Sequence, residues 1–388
     1  MDNVNIQDVF LKFYSKFLET YSPSARQAKT AFHIMNCKTG AYGSNISVCD
    51  SCGHVEFHHN SCRDRGCPMC QELPKEKWLD AQREDLLDTA YYHIVFTTPH
   101  ELNPVFYCNQ REMYSLLFHS AAETLLELAA DERYLGAIPG FISILHSWGS
   151  AMEYHPHLHI LSIGGGLAGE RCWCEKKDGF FLPAEVVSSL FRGKFLAGLS
   201  ALMEEKGLVF EGEATKYRNH YEFQELLDAC YKKKWVTFLK ESFAGAETVM
   251  EYLGRYTHRI AISNSRIVSM DEEKVVFKVK DYKNGGIWKE IALLGVEFVR
   301  RFLMHVLPKG FVKIRHYGIL GNRNKKDRIP FCRNIIGCRK YLSELKELDY
   351  AGLMKVLYDI DVNKCPCCGG AVTMHNDQRL NRKLLNTA

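Results

Sequence analysis

The sequence predicts an α+β fold: a β-containing core carrying helices, preceded by a zinc-ribbon-like module and followed by a basic region that a second zinc could stabilise. Three observations lead there. Short β-branched and aromatic runs alternate with long stretches of helical periodicity. Cys-x-x-Cys pairs crowd residues 49–70, and Lys and Arg gather between residues 300 and 340. The corresponding boundaries are 1–36 for an N-terminal helical segment and 37–75 for the zinc-binding module. Residues 76–295 form the core, with an insertion at 167–240, and 296–388 the basic region with its Cys cluster.

In the first segment Val9, Phe10, Phe13, Phe17, Leu18 and Tyr21 recur at helical spacing over residues 7–21. Ser22-Pro23-Ser24 stops that helix, and a second runs from Ala25 to Asn36. The pair is expected to pack on a neighbouring module. Next come Cys49-x-x-Cys52-Gly53 and Cys67-Pro68-x-Cys70, knuckle pairs at a spacing close to that of a zinc ribbon. Gly53 and Pro68 suit the tight bends that aim two thiolates at one ion. Four thiolates leave zinc no open position, so Cys49, Cys52, Cys67 and Cys70 read as one structural site. Cys37, Cys62, His54, His58 and His59 remain as substitutes or as a second site. Arg63-Asp64-Arg65, between the knuckles, could touch phosphate.

Residues 91–98 read as a buried strand ended by Pro99, and Gln110–Ala130 as a helix. Phe141–Leu145 is a strand leading into His146-Ser147-Trp148-Gly149. His155-Pro156-His157-Leu158-His159 opens a further strand, Ile160–Ile163, which Gly164–Gly166 is expected to stop. Side chains alternate along a strand, so His157 and His159 share a face about 7 Å apart, close enough to grip one divalent ion. If the two strands form a hairpin turning near Gly149–Glu153, His146 comes opposite that face. Three imidazoles then leave open positions for water or a phosphate oxygen. His155 competes as third ligand, but Pro156 distorts that end of the strand, and His146 is preferred.

Cys172-Trp173-Cys174 suggests a small strand pair, Pro183–Glu205 a helix and Trp235–Leu239 a strand. The helical stretch beginning at Glu247 places Tyr252 and Tyr256 one turn apart on one face, with Arg255, His258 and Arg259 in the same turn. Cations there favour phosphate and ease ionisation of a phenol. Residues 263–293 read as a β-meander with a turn at Asn284-Gly285-Gly286, and Glu297–Val306 as a helix. Cys365-Pro-Cys-Cys368 looks like half a knuckle, with Cys332, Cys338 or His375 as possible partners, and the tail Asn376–Ala388 reads as disordered.

The 388 residues are 46% hydrophobic and 25% charged, ordinary for a chain that buries a core. No run of about 18 apolar residues exists, so no membrane span is expected. The N-terminus lacks the basic start and apolar stretch of a signal peptide, which makes a cytoplasmic protein the default. Fifteen cysteines in that compartment argue for metal rather than disulfides. The net charge of +4 conceals twelve Lys/Arg against Asp327 alone in residues 300–340. That segment, including Arg315, Arg323, Lys325 and Lys326, suggests a polyanion partner.

These parts converge on one chemistry. A metal polarises a phosphodiester and a tyrosine hydroxyl attacks the phosphorus, conserving the bond energy as phosphotyrosine. His155-Pro-His-Leu-His159 with Gly164-Gly-Gly, and Tyr252-Leu-Gly-Arg-Tyr256-Thr-His-Arg259, resemble the two-tyrosine branch of the HUH nucleases. Within it the chain is similar to the rolling-circle transposases of insertion-sequence family ninety-one and their common-region relatives. The resemblance covers nearly the whole chain. Ser61-Cys62-Arg-Asp-Arg-Gly-Cys67-Pro-Met-Cys70-Gln71 looks like that family's zinc-binding module, and His146-Ser-Trp148-Gly149, Lys280-Asp-Tyr282 and Arg315-His-Tyr-Gly318 are also similar. Gly66 departs from the pattern, since relatives often carry histidine there.

The resemblance implies an HUH core, a central antiparallel sheet flanked by helices with the histidine strand central. It implies Tyr252 and Tyr256 as nucleophiles, and Mg2+ or Mn2+ on His157, His159 and His146. Arg255, Arg259, Arg315, Arg323, Lys325 and Lys326 are the DNA-binding candidates. The implied substrate is single-stranded DNA or hairpins at element ends, giving a 5′-phosphotyrosine and a free 3′-OH. No P-loop occurs, so unwinding would fall to supercoiling or a host helicase. Two other readings use the same residues: a zinc-ribbon DNA-binding regulator without catalysis, and an HUH replication initiator or relaxase.

Overall fold

A computed structural model describes residues 4–169, 172–175, 182–242, 248, 254, 260–281 and 284–377. Its centre is an antiparallel sheet of β3 (Tyr91–Thr97), β4 (Ile138–Trp148), β5 (Tyr154–Ala168), β6 (Cys172–Glu175), β7 (Thr237–Ser242) and β11 (Ile314–Gly318), in the order β11-β4-β5-β3-β7 with β6 on the end of β5. The segment read as an insertion therefore contributes two strands to the sheet.

Alternation sorts the two faces. Phe141, Leu145, Leu158, Ile160, Ile94 and Phe96 point to a core closed by helices α5 (Gln110–Ala130) and α6 (Ala184–Glu204). Each such side chain contributes roughly 1.5–3 kcal/mol on full burial. Ile142, Ile144, Leu161 and Ile163 point the other way, under α3 (Glu72–Arg83) and α9 (Lys325–Ile336). By length and hydropathy α6 could cross a membrane. In the fold its Val187, Phe191, Phe195 and Leu199 are buried in the core shared with α5.

The glycines expected to end β5 lie inside it. A Cβ on Gly166 would stand 2.5 Å from the Ile138 carbonyl oxygen, and one on Gly165 would stand 2.3 Å from the Trp173 ring. Only glycine lets β4 and β6 approach the strand so closely.

A second core joins the N-terminal helices to residues 260–306. Helices α1 (Ile6–Thr20) and α2 (Ala25–Met35) pack with α8 (Gly295–Met304) and with the meander of β8 (Ile267–Met270), β9 (Lys274–Asp281) and β10 (Ile287–Leu294). Asn5 and Asp8 form a reciprocal capping box at the start of α1, and the Phe10 and Phe302 rings meet edge-on at 5.3 Å. The β4–β5 turn plugs into this core. Met152 is fully buried there, and the Ala151 and Met152 carbonyls accept from Arg301 and His305. The third sheet is β12-β1-β2, in which β12 (Val372–Asp377) pairs with β1 (Ser44–Cys49) of the N-terminal hairpin and β2 is Val55–His59.

Gly166→Ala is expected to lower stability by about 1–3 kcal/mol in urea unfolding, because the strand-to-strand gap has no room for a methyl. Gly193→Ala, in the open on α6, should raise it by about 0.5–1 kcal/mol. Equal effects would mean the glycine run is not set by packing.

Candidate functional site

The β4–β5 hairpin pairs His146 with His157 and Ile144 with His159. Ligand nitrogens of His146, His157 and His159 lie within 4.8 Å of one another, and the Nε2 atoms of His157 and His159 are 3.1 Å apart. Cis ligands of an octahedral ion at about 2.1 Å stand about 3 Å apart, so the donor set fits a divalent cation with open positions. His155 does not join the group. It contributes its carbonyl, which accepts from Nδ1 of His157 at 2.7 Å and leaves Nε2 of that ring for a ligand bond.

His93 was not among the sequence candidates. It stands on β3, on the same face, with its Nε2 3.1 Å from Nδ1 of His159 and the two rings stacked at 5.3 Å. It thus fixes the orientation of His159 as the His155 carbonyl fixes His157. Burial holds His93 and His157 near 4, so both rings are neutral at pH 7. His159 is likewise held well below its ordinary value, first by burial and then by His146, His157, His93 and the cation of Lys313. Lys313 comes from the approach to β11, where its carbonyl accepts from the Leu145 amide. Its ammonium lies 5.0 Å from the Trp148 ring, which stacks on His146 at 4.5 Å. A positive charge therefore accompanies the triad.

The four knuckle cysteines do not share one site. Cys67 and Cys70 cluster with Cys37 and Cys62, while Cys49 and Cys52 cluster with Cys365 and Cys368. The cause is the β1–β2 hairpin. Cys49 and Cys52 are at its turn, whereas Cys62 follows its open end, five or six residues down the strands and roughly 20 Å away. Sulfur contacts of 3.4–3.6 Å in both groups suit the edge of a zinc tetrahedron with bonds of about 2.3 Å.

The second group is a zinc ribbon split between the two ends of the chain. Cys49 donates to the His54 carbonyl and Gly53 to Cys49; in the same way Cys365 donates to Gly370 and Gly369 to Cys365. Both knuckles end on a left-handed glycine, Gly53 at φ +69° and Gly369 at φ +71°. Amides of Cys52 and Ser51 hold the Cys49 thiol down to about 6. Cys332, Cys338 and His375 lie outside the group.

The buried first group is braced by Asp64, which accepts two bonds from Arg26 at 2.9 and 3.0 Å and faces His33 at 2.9 Å. A Cβ at Gly66 would meet Thr30 at 2.6 Å, so cysteine supplies all four ligands without a side chain there. Arg65 donates to the Leu307, Pro308 and Phe311 carbonyls, which corrects its reading as a phosphate contact.

The remaining candidates separate. Tyr252, Tyr256, Arg255 and Arg259 lie outside the described residues, as does the tail from residue 378. Gly254, between the tyrosines in sequence, is described: a Cβ there would be 3.1 Å from Leu79 of α3, which packs on Ile142, Ile144 and Leu161. That is the sheet face bearing the histidines. Arg315 points to the opposite face, its guanidinium 4.3 Å from the Phe118 ring centroid. Lys325 pairs with Asp85, while Arg323 and Lys326 are exposed.

A family model described as "Putative transposase" matches residues 140–328, and one described as "Transposase zinc-binding domain" matches residues 9–98. "Putative transposase y4qJ" of Sinorhizobium fredii (strain NBRC 101917 / NGR234) is 40% identical over 369 residues, covering 94% of this chain and 92% of the relative. "Transposase for insertion sequence element IS801" of Pseudomonas savastanoi pv. phaseolicola is 26% identical over 364 residues, covering 88% and 82%. No solved structure matches the chain.

Metal analysis of the purified chain should give two zinc ions, and Cys365→Ser with Cys368→Ser should leave one. A count unchanged by that double substitution would restore the single site built from Cys49, Cys52, Cys67 and Cys70.

Proposed function

The chain belongs to the transposases of insertion-sequence family ninety-one, and on that premise we propose that it cuts and rejoins single-stranded DNA at element ends through tyrosine attack at the histidine site. The observation that carries this reading is the convergence of His146, His157 and His159 on one face of the central sheet, with Lys313 beside them. The family acts on DNA. What the reading adds is the strand, the nucleophile and the intermediate.

Neutral rings at His157 and His159, each held by its Nδ1, offer lone pairs to Mg2+ or Mn2+ without first losing a proton. Such an ion supplies Lewis-acid polarisation of a phosphodiester oxygen. The hydroxyl of Tyr252 or Tyr256 attacks phosphorus; the Oη–P bond forms and the P–O3′ bond breaks. The phenolic proton is lost and the 3′-oxygen leaves as a hydroxyl, so the DNA remains joined to the protein through a 5′-phosphotyrosine. Attack by a 3′-OH reverses these steps and reseals a strand, with no nucleoside triphosphate consumed. A second tyrosine allows a second cut before the first is resolved. Gly254, between the two tyrosines in sequence, meets Leu79, which belongs to the apolar cluster on the side of the sheet that also bears the histidines, and this supports the reading. Arg255, Arg259, Arg323 and Lys326 are proposed to hold flanking phosphates, and strand separation is left to supercoiling or a host helicase.

On a single-stranded end oligonucleotide with Mg2+ or Mn2+, the wild-type chain should form a covalent 5′ adduct. Tyr252→Phe with Tyr256→Phe should form none while zinc content stays normal, and adduct from the double variant would refute the mechanism. His157→Ala should also abolish it, where a non-catalytic zinc-ribbon regulator would be indifferent.

In the same assay His93→Ala should raise the Mn2+ concentration for half-maximal adduct by about 10–100-fold, with partial recovery in His93→Gln. An unchanged requirement would remove His93 from the orientation of His159.

A further inference from the structure

The outer face of the meander carries an aromatic that the nicking chemistry does not use. Trp288 on β10 is 59% exposed. Val275, Phe277 and Val279 of β9 turn inward to the second core, which leaves Lys278 and Lys280 on the outer face. The register sets Trp288 opposite Lys280, and Glu290 opposite Lys278. The Arg266 guanidinium lies 5.7 Å from the Trp288 ring centroid. It is held there by the carbonyls of Lys278 and Ser150.

Ser150 belongs to the β4–β5 turn, and its Oγ accepts from the Lys280 amide at 2.6 Å. This face is therefore bolted to the hairpin that carries His146, His157 and His159. From the turn to His157 is a few residues of β5, roughly 10–20 Å.

We propose that Trp288 is a stacking platform for one unpaired nucleobase of the DNA strand leading to the histidine site. The inference rests on the single-strand reading above. A ring exposed by more than half offers a face that a base in a duplex cannot reach, because that base is already stacked on its neighbours. Arg266 strengthens the ring as a platform through a cation–π contact, and Lys278 and Lys280 supply the charge that matches a phosphate backbone. Glu290 stands opposite Lys278, so the attraction is stronger toward the Lys280 end, which is also the end bound to the hairpin. Stacking is tolerant of sequence. The platform is thus expected to contribute affinity and register, leaving recognition of the element end to other contacts.

The test uses the full-length chain carrying His157→Ala, so that binding is read without cleavage. A fluorescein-labelled single-stranded oligonucleotide of the element end is titrated at fixed salt, and tryptophan emission is followed in parallel. Trp288→Ala should weaken binding about 5- to 100-fold and remove most of the quenching, while Trp288→Phe keeps most of the affinity. Trp288 is exposed, so its truncation removes no core contact, and an unchanged zinc content checks that the fold is retained. If the parent binds single strands but Trp288→Ala leaves both affinity and quenching unaltered, the platform is overturned and the nicking reading stands. If the parent ignores single strands and binds only duplex, the nicking reading fails and takes the platform with it.

Discussion

Everything at the site depends on the register of one antiparallel pair. His146 faces His157 and Ile144 faces His159 because the β4–β5 turn closes at Gly149–Glu153. A slip of one residue would send His146 to the opposite face of the sheet. The turn is accordingly fixed from outside, by Met152 in the second core, by Arg301 and His305 on its carbonyls, and by Arg266 and the Lys280 amide at Ser150. The helical segment at the start of the chain and the meander near residue 280 thus serve the histidines through the turn.

Along the sheet the same face changes character. At one end it is imidazole; at the other it is Ile142, Leu161 and Ile163 under α3 and α9. The apolar half supplies the packing energy that keeps the polar half in place. Asp80 of α3 is tied to the segment after α9, accepting from Tyr341 at 2.7 Å and from the Leu345 amide at 3.0 Å. That segment leads on to the Cys365 knuckle, so the cover over the histidine face is continuous with the split ribbon.

How much of this could be read from the sequence follows the range of the interactions. The histidine hairpin was legible, because its two strands are separated only by a turn and alternation fixes their faces. The meander and the helices Ile6–Thr20, Ala25–Met35, Gln110–Ala130, Ala184–Glu204 and Gly295–Met304 are legible from periodicity, whereas α3 and α9 are not, and the helix expected from Glu247 lies outside the described residues. The partition of the cysteines was not, since Cys49 and Cys52 find partners more than three hundred residues away and nothing in the local spacing points there. Gly164–Gly166 looked like a stop because the close approach of Ile138 and Trp173 is invisible in one dimension. His93 was hidden inside an apolar strand; pairing β3 with β5 and following its alternation would have placed it beside His159. The basic segment overstated its free charge. Arg300 and Arg301 both bind Glu297, Lys325 binds Asp85, and Arg315 lies over Phe118.

The split ribbon gives translation a direct bearing on folding. Ribosomes add about 5–20 residues each second, so the Cys365 knuckle emerges roughly 15–60 s after Cys52. During that interval Cys49 and Cys52 are a half-built ligand set, while Cys37, Cys62, Cys67 and Cys70 have all left the ribosome and can close around their own ion. The two centres therefore mature in a fixed order, the split one second. A prematurely terminated chain retains the histidines yet lacks that closure, leaving β1 without β12 as its neighbour.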